Sequence, residues 1–206
     1  MAYCLEGKIY INLTNLCTND CIFCIRSLKD DVEGKNLFLK SEKFEAKDVI
    51  KQIEALLKEK QDVPEIVFCG YGEPTMKFDI LKEVASYLID KYKNIKIRLN
   101  TNGHGSLFNK KDITKEMKGL IDSVSVSLNA ENADLYGKLS KPKFDFKKAY
   151  NEVLEFTKAC VNNGIDTTMS IVSGYPEYEV DIKKCEEIAT NLGAKFRVRE
   201  WLPKGY

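Results

Sequence analysis

Three cysteines, Cys17, Cys21 and Cys24, lie in the run Asn15-Leu16-Cys17-Thr18-Asn19-Asp20-Cys21-Ile22-Phe23-Cys24. The spacing C-x3-C-x2-C offers three thiolates with no fourth cysteine nearby. A four-iron cluster normally takes four thiolates. Three leave one iron with an open position, and an open position is where a metal does chemistry. The same triplet would also serve as part of a structural zinc site, whose ligands usually come as two pairs. The other cysteines form no second pair. Cys4 stands alone, Cys69 lies in a strand-like run, and Cys160 and Cys185 fall on apolar helical stripes. A lone cysteine on such a stripe is usually a small core hydrophobe. His104, the single histidine, sits in a Gly-His-Gly turn and is available as a fourth ligand.

Strand-like and helix-like segments alternate along the chain and must hold these thiols in place. Strands are expected at 8–14, 65–69, 95–100, 123–128, 166–172 and 195–201, and helices at 45–60, 78–92, 112–119, 145–163 and 179–192. Helical spacing is clear at Val49, Ile50, Ile53, Leu56 and Leu57, and Gly164 and Gly193 follow two helices as stops. The alternation predicts parallel β/α units. Several strands also alternate apolar and polar residues: Ile9, Ile11 and Leu13 against Tyr10, Asn12 and Thr14; Ile97 and Leu99 against Arg98 and Asn100; Val124, Val126 and Leu128 against Ser123, Ser125 and Ser127. The last sets Phe196 and Val198 against Arg197 and Arg199. The apolar face should meet the helices. The polar face should point into the lumen of a curved sheet, where polar residues suggest a binding chamber.

Sites in such folds form at the C-terminal ends of the strands. The cysteine triplet follows the first expected strand, and Gly70-Tyr71-Gly72-Glu73-Pro74 the second. A carboxylate suits a cation, and glycines permit close approach of the chain. Asn100-Thr101-Asn102-Gly103 follows the third strand and Ser127-Leu128-Asn129-Ala130 the fourth, with Ser127 and Asn129 expected on the inward face. Val172 ends the fifth strand, and Trp201-Leu202-Pro203 ends the sixth.

Taken together, the C-x3-C-x2-C run with Phe23 before its last cysteine and the Gly-Tyr-Gly-Glu-Pro turn resemble the signatures of the radical S-adenosylmethionine (SAM) enzymes. Tyr71 stands where that family usually has a second glycine. The resemblance covers nearly the whole chain. It implies an α/β fold, a partial TIM-type (β/α)6 barrel with a mainly parallel curved sheet, holding a [4Fe–4S] cluster and SAM. Cys17, Cys21 and Cys24 would hold three irons and be the catalytic metal ligands. The turn at Gly70, Tyr71, Gly72 and Glu73 would hold the methionine ammonium group. Asn100, Asn102, Ser127 and Asn129 would reach the ribose or the methionine end, and Arg199 the carboxylate. Phe23, Val172, Trp201 and Leu202 would wall the adenine. A one-electron donor such as a flavodoxin or ferredoxin would start the reaction.

Composition narrows the partners. Lys plus Arg is 32 and Asp plus Glu 31, a net charge of +1 with no footprint for nucleic acid. No apolar run is long enough to span a membrane, and the N-terminus lacks a signal-peptide pattern. Seven cysteines, an odd number, fit a reducing cytosol better than a disulfide framework. The 206 residues are expected to form one domain, with no extension for a second cluster. The segment 25–44, holding Arg26, Lys29, Asp30 and Asp31, is a long loop and a candidate lid.

Within the family, the runs Tyr10-Ile11-Asn12-Leu13-Thr14-Asn15 and Ser127-Leu128-Asn129-Ala130 resemble the small TatD-associated branch, which includes queuine-cleaving lyases. That implies a small-molecule substrate, queuine or a similar 7-deazapurine, cut at a carbon–nitrogen bond. Tyr10, Asn12, Arg26, Glu45, Arg197 and Glu200 are the candidates to bind it. The alternatives are a glycyl-radical activating or peptide-modifying enzyme and, from another class, a non-catalytic zinc- or cluster-binding module.

Overall fold

The computed structural model describes residues 1–27, 31–32, 34–60 and 62–202. Lys29, Asp30 and Pro203, named above, lie outside the described residues. The main sheet has seven strands: β1 (Ala2–Leu5), β2 (Lys8–Ile11), β5 (Glu65–Phe68), β6 (Lys96–Thr101), β7 (Ser123–Ser127), β8 (Asp166–Ser173) and β9 (Lys195–Glu200), neighbours in that order. From β2 to β9 every neighbouring pair is parallel. This is the expected six-unit β/α order of an open, mostly parallel sheet. The helices are α1 (Ala46–Glu59), α2 (Phe78–Lys91), α3 (Gly105–Asn109), α4 (Thr114–Met117), α5 (Ala133–Ser140), α6 (Phe146–Asn162) and α7 (Ile182–Asn191). None is long and apolar enough to cross a membrane.

The alternation read from the strands sorts their faces. Ile9, Ile11, Leu13, Ile66, Phe68, Ile97, Leu99, Val124, Val126, Met169 and Ile171 join Val49, Ile53, Leu81, Val84, Val153 and Phe156 in one core. Cys160 and Cys185 are fully buried in that core, as their stripes predict. On the opposite face, Tyr10 pairs with Val67, Val67 with Arg98, and Arg98 with Ser123. Nearer the C-terminal ends, Asn100 pairs with Ser125 and Ser125 with Thr168. The edge departs from the pattern. Val198 on β9 is 39% exposed, so helices cover the last strand only partly.

Several elements were not foreseen. β1 pairs antiparallel with β2 through a turn at Glu6 and Gly7, both with positive φ (47° and 74°), the conformation a two-residue hairpin turn favours. Segment 25–44 contains a 3-10 turn at Ile25–Ser27 and a small ladder of β3 (Asp31–Val32) with β4 (Lys35–Asn36), rather than a plain loop. The helix expected at 112–119 shortens to α4, and α3 precedes it. α5 was missed altogether. It has only eight residues and contains Gly137, a weak helix former. Packing supports it: Tyr136 and Leu139 are buried, and a Cβ on Gly137 would sit 3.0 Å from Phe146. Its start is fixed by Asn132, whose Oδ1 accepts the Leu135 N–H at 2.9 Å.

Candidate active site

A cavity of about 300 Å³ opens at the C-terminal ends of the strands. Cys17, Cys21, Phe23 and Cys24 form one wall. Gly70, Tyr71, Gly72 and Glu73 form the next, followed by Asn100, Asn102 and Ser127. Val172, Arg199, Glu200, Trp201 and Leu202 close it from the last two strands. An aromatic chain links opposite sides: Phe23 lies edge-on to Tyr175 at 6.5 Å, and Tyr175 edge-on to Trp201 at 5.1 Å.

The cysteine loop is held from three directions. At its entry, Glu42 accepts from Thr14 Oγ1 and the Asn15 N–H, both at 2.8 Å, and Asn15 exchanges two bonds with the Leu39 backbone. Arg26 donates to Asn15 O at 3.2 Å and pairs with Asp20 at 3.2 Å. From the α5 side, backbone carbonyls hold the loop: Asp20 N donates to Ser140 O and Ile22 N to Leu139 O, both at 3.0 Å. From beneath, Thr18 Oγ1 accepts Asn102 Nδ2 at 2.7 Å and contacts His104 Nδ1 at 3.1 Å.

His104 is not a ligand in this arrangement. It is fully buried, and its Nε2 meets Tyr136 Oη at 2.9 Å, so both ring nitrogens are engaged. Burial pushes its pKa down to about 4, which keeps the ring neutral.

The hold from beneath is completed by the Gly-Tyr-Gly-Glu turn, whose Glu73 accepts the Asn102 N–H. A Cβ on Gly72 would lie 2.2 Å from Thr14 O and 2.5 Å from Leu16 O, and one on Gly70 would lie 2.2 Å from Asn12 Oδ1. The glycines therefore let the turn close onto the cysteine loop, and Glu73 N donates to Leu16 O at 2.8 Å. Tyr71, the departure from the family pattern, is buried beside Leu37, Tyr3, Leu5 and Ile25, with its ring 4.8 Å from Phe38. Glu73 Oε1 accepts from Thr75 N (3.1 Å), Thr75 Oγ1 (2.7 Å) and Thr101 Oγ1 (2.7 Å), and Oε2 accepts from Asn102 N (2.7 Å). The carboxylate that the motif offers to a cation thus also ties the turn to the end of β6. Burial raises its pKa against the pull of those bonds.

The thiols suit a multi-iron group. Among the described residues, no group of three or more His, Cys, Asp or Glu side chains is arranged to hold a metal ion. The three cysteines instead share one cavity wall. Burial pushes Cys17 and Cys21 above the ordinary thiol range, and the neighbouring thiols push them the same way. Three thiolates there need a compensating cationic centre, which iron provides.

Six of the sequence-predicted residues do not line this cavity. Asn129 is buried with φ 63°, and its Nδ2 donates to Ser140 Oγ at 3.1 Å. The strand ends at Ser127, so the inward alternation does not carry to Asn129. Asn12 lies just past β2, and its Nδ2 donates to Leu37 O at 2.6 Å. Tyr10 stacks on Tyr3 at 5.7 Å. Arg26 braces the loop, as above. Glu45 caps α1, its N–H donating to Asp48 Oδ2 at 2.9 Å. Arg197 is exposed in a shallow concavity on the sheet edge. Three lining residues were missed: Ile25, Cys69 and Thr101. The period-2 pattern that turns Val67 inward would have placed Cys69 there too.

The family model described as the radical SAM superfamily matches residues 11–188, and the chain belongs to that family. Among curated proteins it is 26% identical over 144 residues to the GTPase Obg of Brachyspira hyodysenteriae, covering 69% of this chain and 20% of that one. It is 27% identical over 121 residues to an uncharacterized protein of Methanocaldococcus jannaschii, covering 59% and 38%. The chain thus spans well under half the length of these relatives. No G-x-x-x-x-G-K-[ST] phosphate loop occurs in it. Among solved structures, SuiB of Streptococcus suis bound to precursor peptide SuiA superposes with a TM-score of 0.68 at 20% identity, over 94% of this chain and 39% of that one. The anSMEcpe enzyme with bound AdoMet gives 0.65 at 16% identity, over 94% and 50%. TYW1 with a lysine–pyruvate adduct gives 0.63 at 15% identity, over 97% and 67%. At these identities the likeness is one of fold. The family's cofactors are a [4Fe–4S] cluster and SAM, and the neighbours include SAM-bound structures.

Proposed function

We propose that the chain is a radical SAM lyase that breaks a carbon–nitrogen bond in queuine, giving 7-aminomethyl-7-deazaguanine in queuosine salvage. One observation carries the radical SAM part: the cysteine triplet and the polar ends of four other strands bound a single cavity. When bound, the cluster and SAM supply a one-electron cleavage that yields a 5′-deoxyadenosyl radical able to take a hydrogen atom from a substrate.

The chain's own residues supply the rest. Cys17, Cys21 and Cys24 hold the cluster. The backbone of the 70–73 turn, with Asn100, Asn102, Ser127 and Arg199, offers donors and acceptors for the polar end of SAM. Phe23, Val172, Trp201 and Leu202 give an apolar wall for the adenine and exclude water. A flavodoxin or ferredoxin delivers the electron. The queuine assignment rests on the resemblance of residues 10–15 and 127–130 to the TatD-associated branch, and Glu200 is the candidate substrate residue that lines the cavity. We also read the chain as one domain working in a reducing cytosol.

A second reading is a peptide-modifying or glycyl-radical activating enzyme. It is supported by the fold likeness to the peptide-bound SuiB structure and by the thin covering of β9 at the edge of the sheet.

An anaerobic reaction of cluster-reconstituted protein with SAM, a reductant and free queuine, read by mass spectrometry, separates these readings. 5′-Deoxyadenosine together with 7-aminomethyl-7-deazaguanine is the expected result. 5′-Deoxyadenosine alone discards queuine and moves the search to peptides. Neither product, with an intact cluster, discards the enzyme reading.

A further inference from the structure

A charged surface adjoins the cysteine loop on its α5 side. Residues 138–148, which end α5 and begin α6, carry Lys138, Lys141, Lys143, Lys147 and Lys148 against one acid, Asp145. The segment is +4 in a chain whose net charge is +1. All five lysines are exposed. Among the described residues none of them makes an ion pair, whereas Arg26, Lys82, Lys91, Lys111 and Lys195 elsewhere do. Asp145 is engaged locally, capping α6 by accepting the Lys148 N–H at 2.9 Å.

Backbone hydrogen bonds join this segment directly to the thiol loop. Asp20 N donates to Ser140 O and Ile22 N to Leu139 O, each at 3.0 Å, and Lys143 N donates to Thr18 O at 2.8 Å. Cys21 lies between the first two donors, and Thr18 follows Cys17. The exposed acid of the loop, Asp20, is paired with Arg26. Lys138 and Lys141 line a shallow groove with Pro142, Phe144 and Phe146, where Asp134 is the other acid. Phe144 lies edge-on to His104 at 5.8 Å, beneath the loop. An apolar patch with charged groups around it is the anatomy of a protein interface.

We infer that this face is where an acidic one-electron carrier protein docks to reduce the cluster. This rests on the reading that the three cysteines hold a cluster. One electron passes from the reduced carrier to the oxidised cluster, and no bond forms or breaks. Lysines without ion-pair partners steer an acidic protein to the face. Electron-transfer encounters need little buried area, less than about 1,200 Å² in total. The groove shares no residue with the proposed SAM cavity, so the carrier displaces neither SAM nor substrate.

The test is stopped-flow reduction of the reconstituted full chain, without substrate, by a reduced flavodoxin of strong negative charge. Photoreduced deazaflavin, a small uncharged reductant, runs beside it. In wild type the flavodoxin rate should fall steeply as salt rises. Lys138→Glu/Lys141→Glu/Lys143→Glu should bind the same iron and sulfide and keep its deazaflavin rate. It should take electrons from flavodoxin about tenfold more slowly at low salt, with little salt dependence left. Lys51→Glu/Lys58→Glu/Lys60→Glu makes the same charge change at exposed positions of α1 and its C-terminal end, and should lose far less. An unchanged flavodoxin rate in the first variant, or an equal loss in the second, overturns the inference. So does a first variant that keeps the flavodoxin rate but no longer binds transfer RNA, which gives the lysines to nucleic acid. If charge reversal prevents folding, Lys138→Gln/Lys141→Gln/Lys143→Gln decides, with a loss of about threefold expected. Wild type that binds no iron, or that deazaflavin cannot reduce, overturns the cluster reading itself. A reducible cluster indifferent to these lysines overturns only this inference.

Discussion

Two flanks hold the cysteine loop, and they do so by different means. On the flank of β5 and β6, the contacts depend on side-chain identity: two glycines that admit no Cβ, and a carboxylate that gathers donors from Thr75, Thr101 and Asn102. On the flank of α5, the contacts are mostly backbone carbonyls at the end of a short helix: Leu139 O, Ser140 O and Lys141 O. The first flank writes itself into the sequence as Gly-Tyr-Gly-Glu. The second uses groups that every residue carries, so it leaves almost no mark there.

The comparison can be broken at its centre. Cys21→Ala, which removes a thiol from the loop that both flanks hold, should abolish cluster binding and SAM cleavage while the fold survives. Iron and sulfide content, read beside far-ultraviolet circular dichroism, checks this. Retained iron-dependent cleavage would remove Cys21 from the ligand set.

Breaking the sequence-written flank should cost nearly as much. In Gly72→Ala the new Cβ would meet backbone at 2.2 Å, which no rotamer change relieves. A loss of about 3 kcal/mol or more is expected in urea unfolding, with poor cluster retention. Glu73→Ala orphans several buried donors and should cost about 2–4 kcal/mol. Because Glu73 also steadies Asn102 next to Cys17, iron content should fall along with SAM affinity. SAM binding weakened with iron untouched would show that the carboxylate serves the cofactor alone.

His104 ties the network beneath the loop, and its titration sharpens the picture. Its pKa falls from 6.5 in the unfolded chain to about 4 in the folded one, so below pH 6.5 the unfolded state binds the extra proton. The stability present above that pH should be lost as pH falls toward 4, by about 3 kcal/mol in all from this group. His104→Gln should flatten that part of the pH profile of apo-protein stability. The smallest effect belongs to the flank the sequence hides. Asn132→Ala removes the cap of α5 and should cost about 1 kcal/mol, with a modest rise in cluster loss on dilution.

Much of the frame is legible because strand and helix periods differ. The alternation in β2, β6 and β7 names the buried face, and the helix at Ala46–Glu59 ends within a residue of expectation. β1 and α5 escape because four and eight residues are too few for a period to stand out. Cys69 escapes for another reason: its strand reads as continuously apolar, although Val67 on its inward face shares the register of Tyr10 and Arg98.

By itself, the sequence determined the three thiols, the order of the β/α units and the motif that closes on the loop. Each of those is local, set by residue type and spacing. Which polar groups reach the cavity was decided only by the tertiary structure. Ser127 does, while Asn129, two residues on, turns away with φ 63° to brace Ser140. Alternation predicts direction only while the ladder lasts. Past the last rung, a side chain points where packing and the nearest hydrogen-bond partner send it.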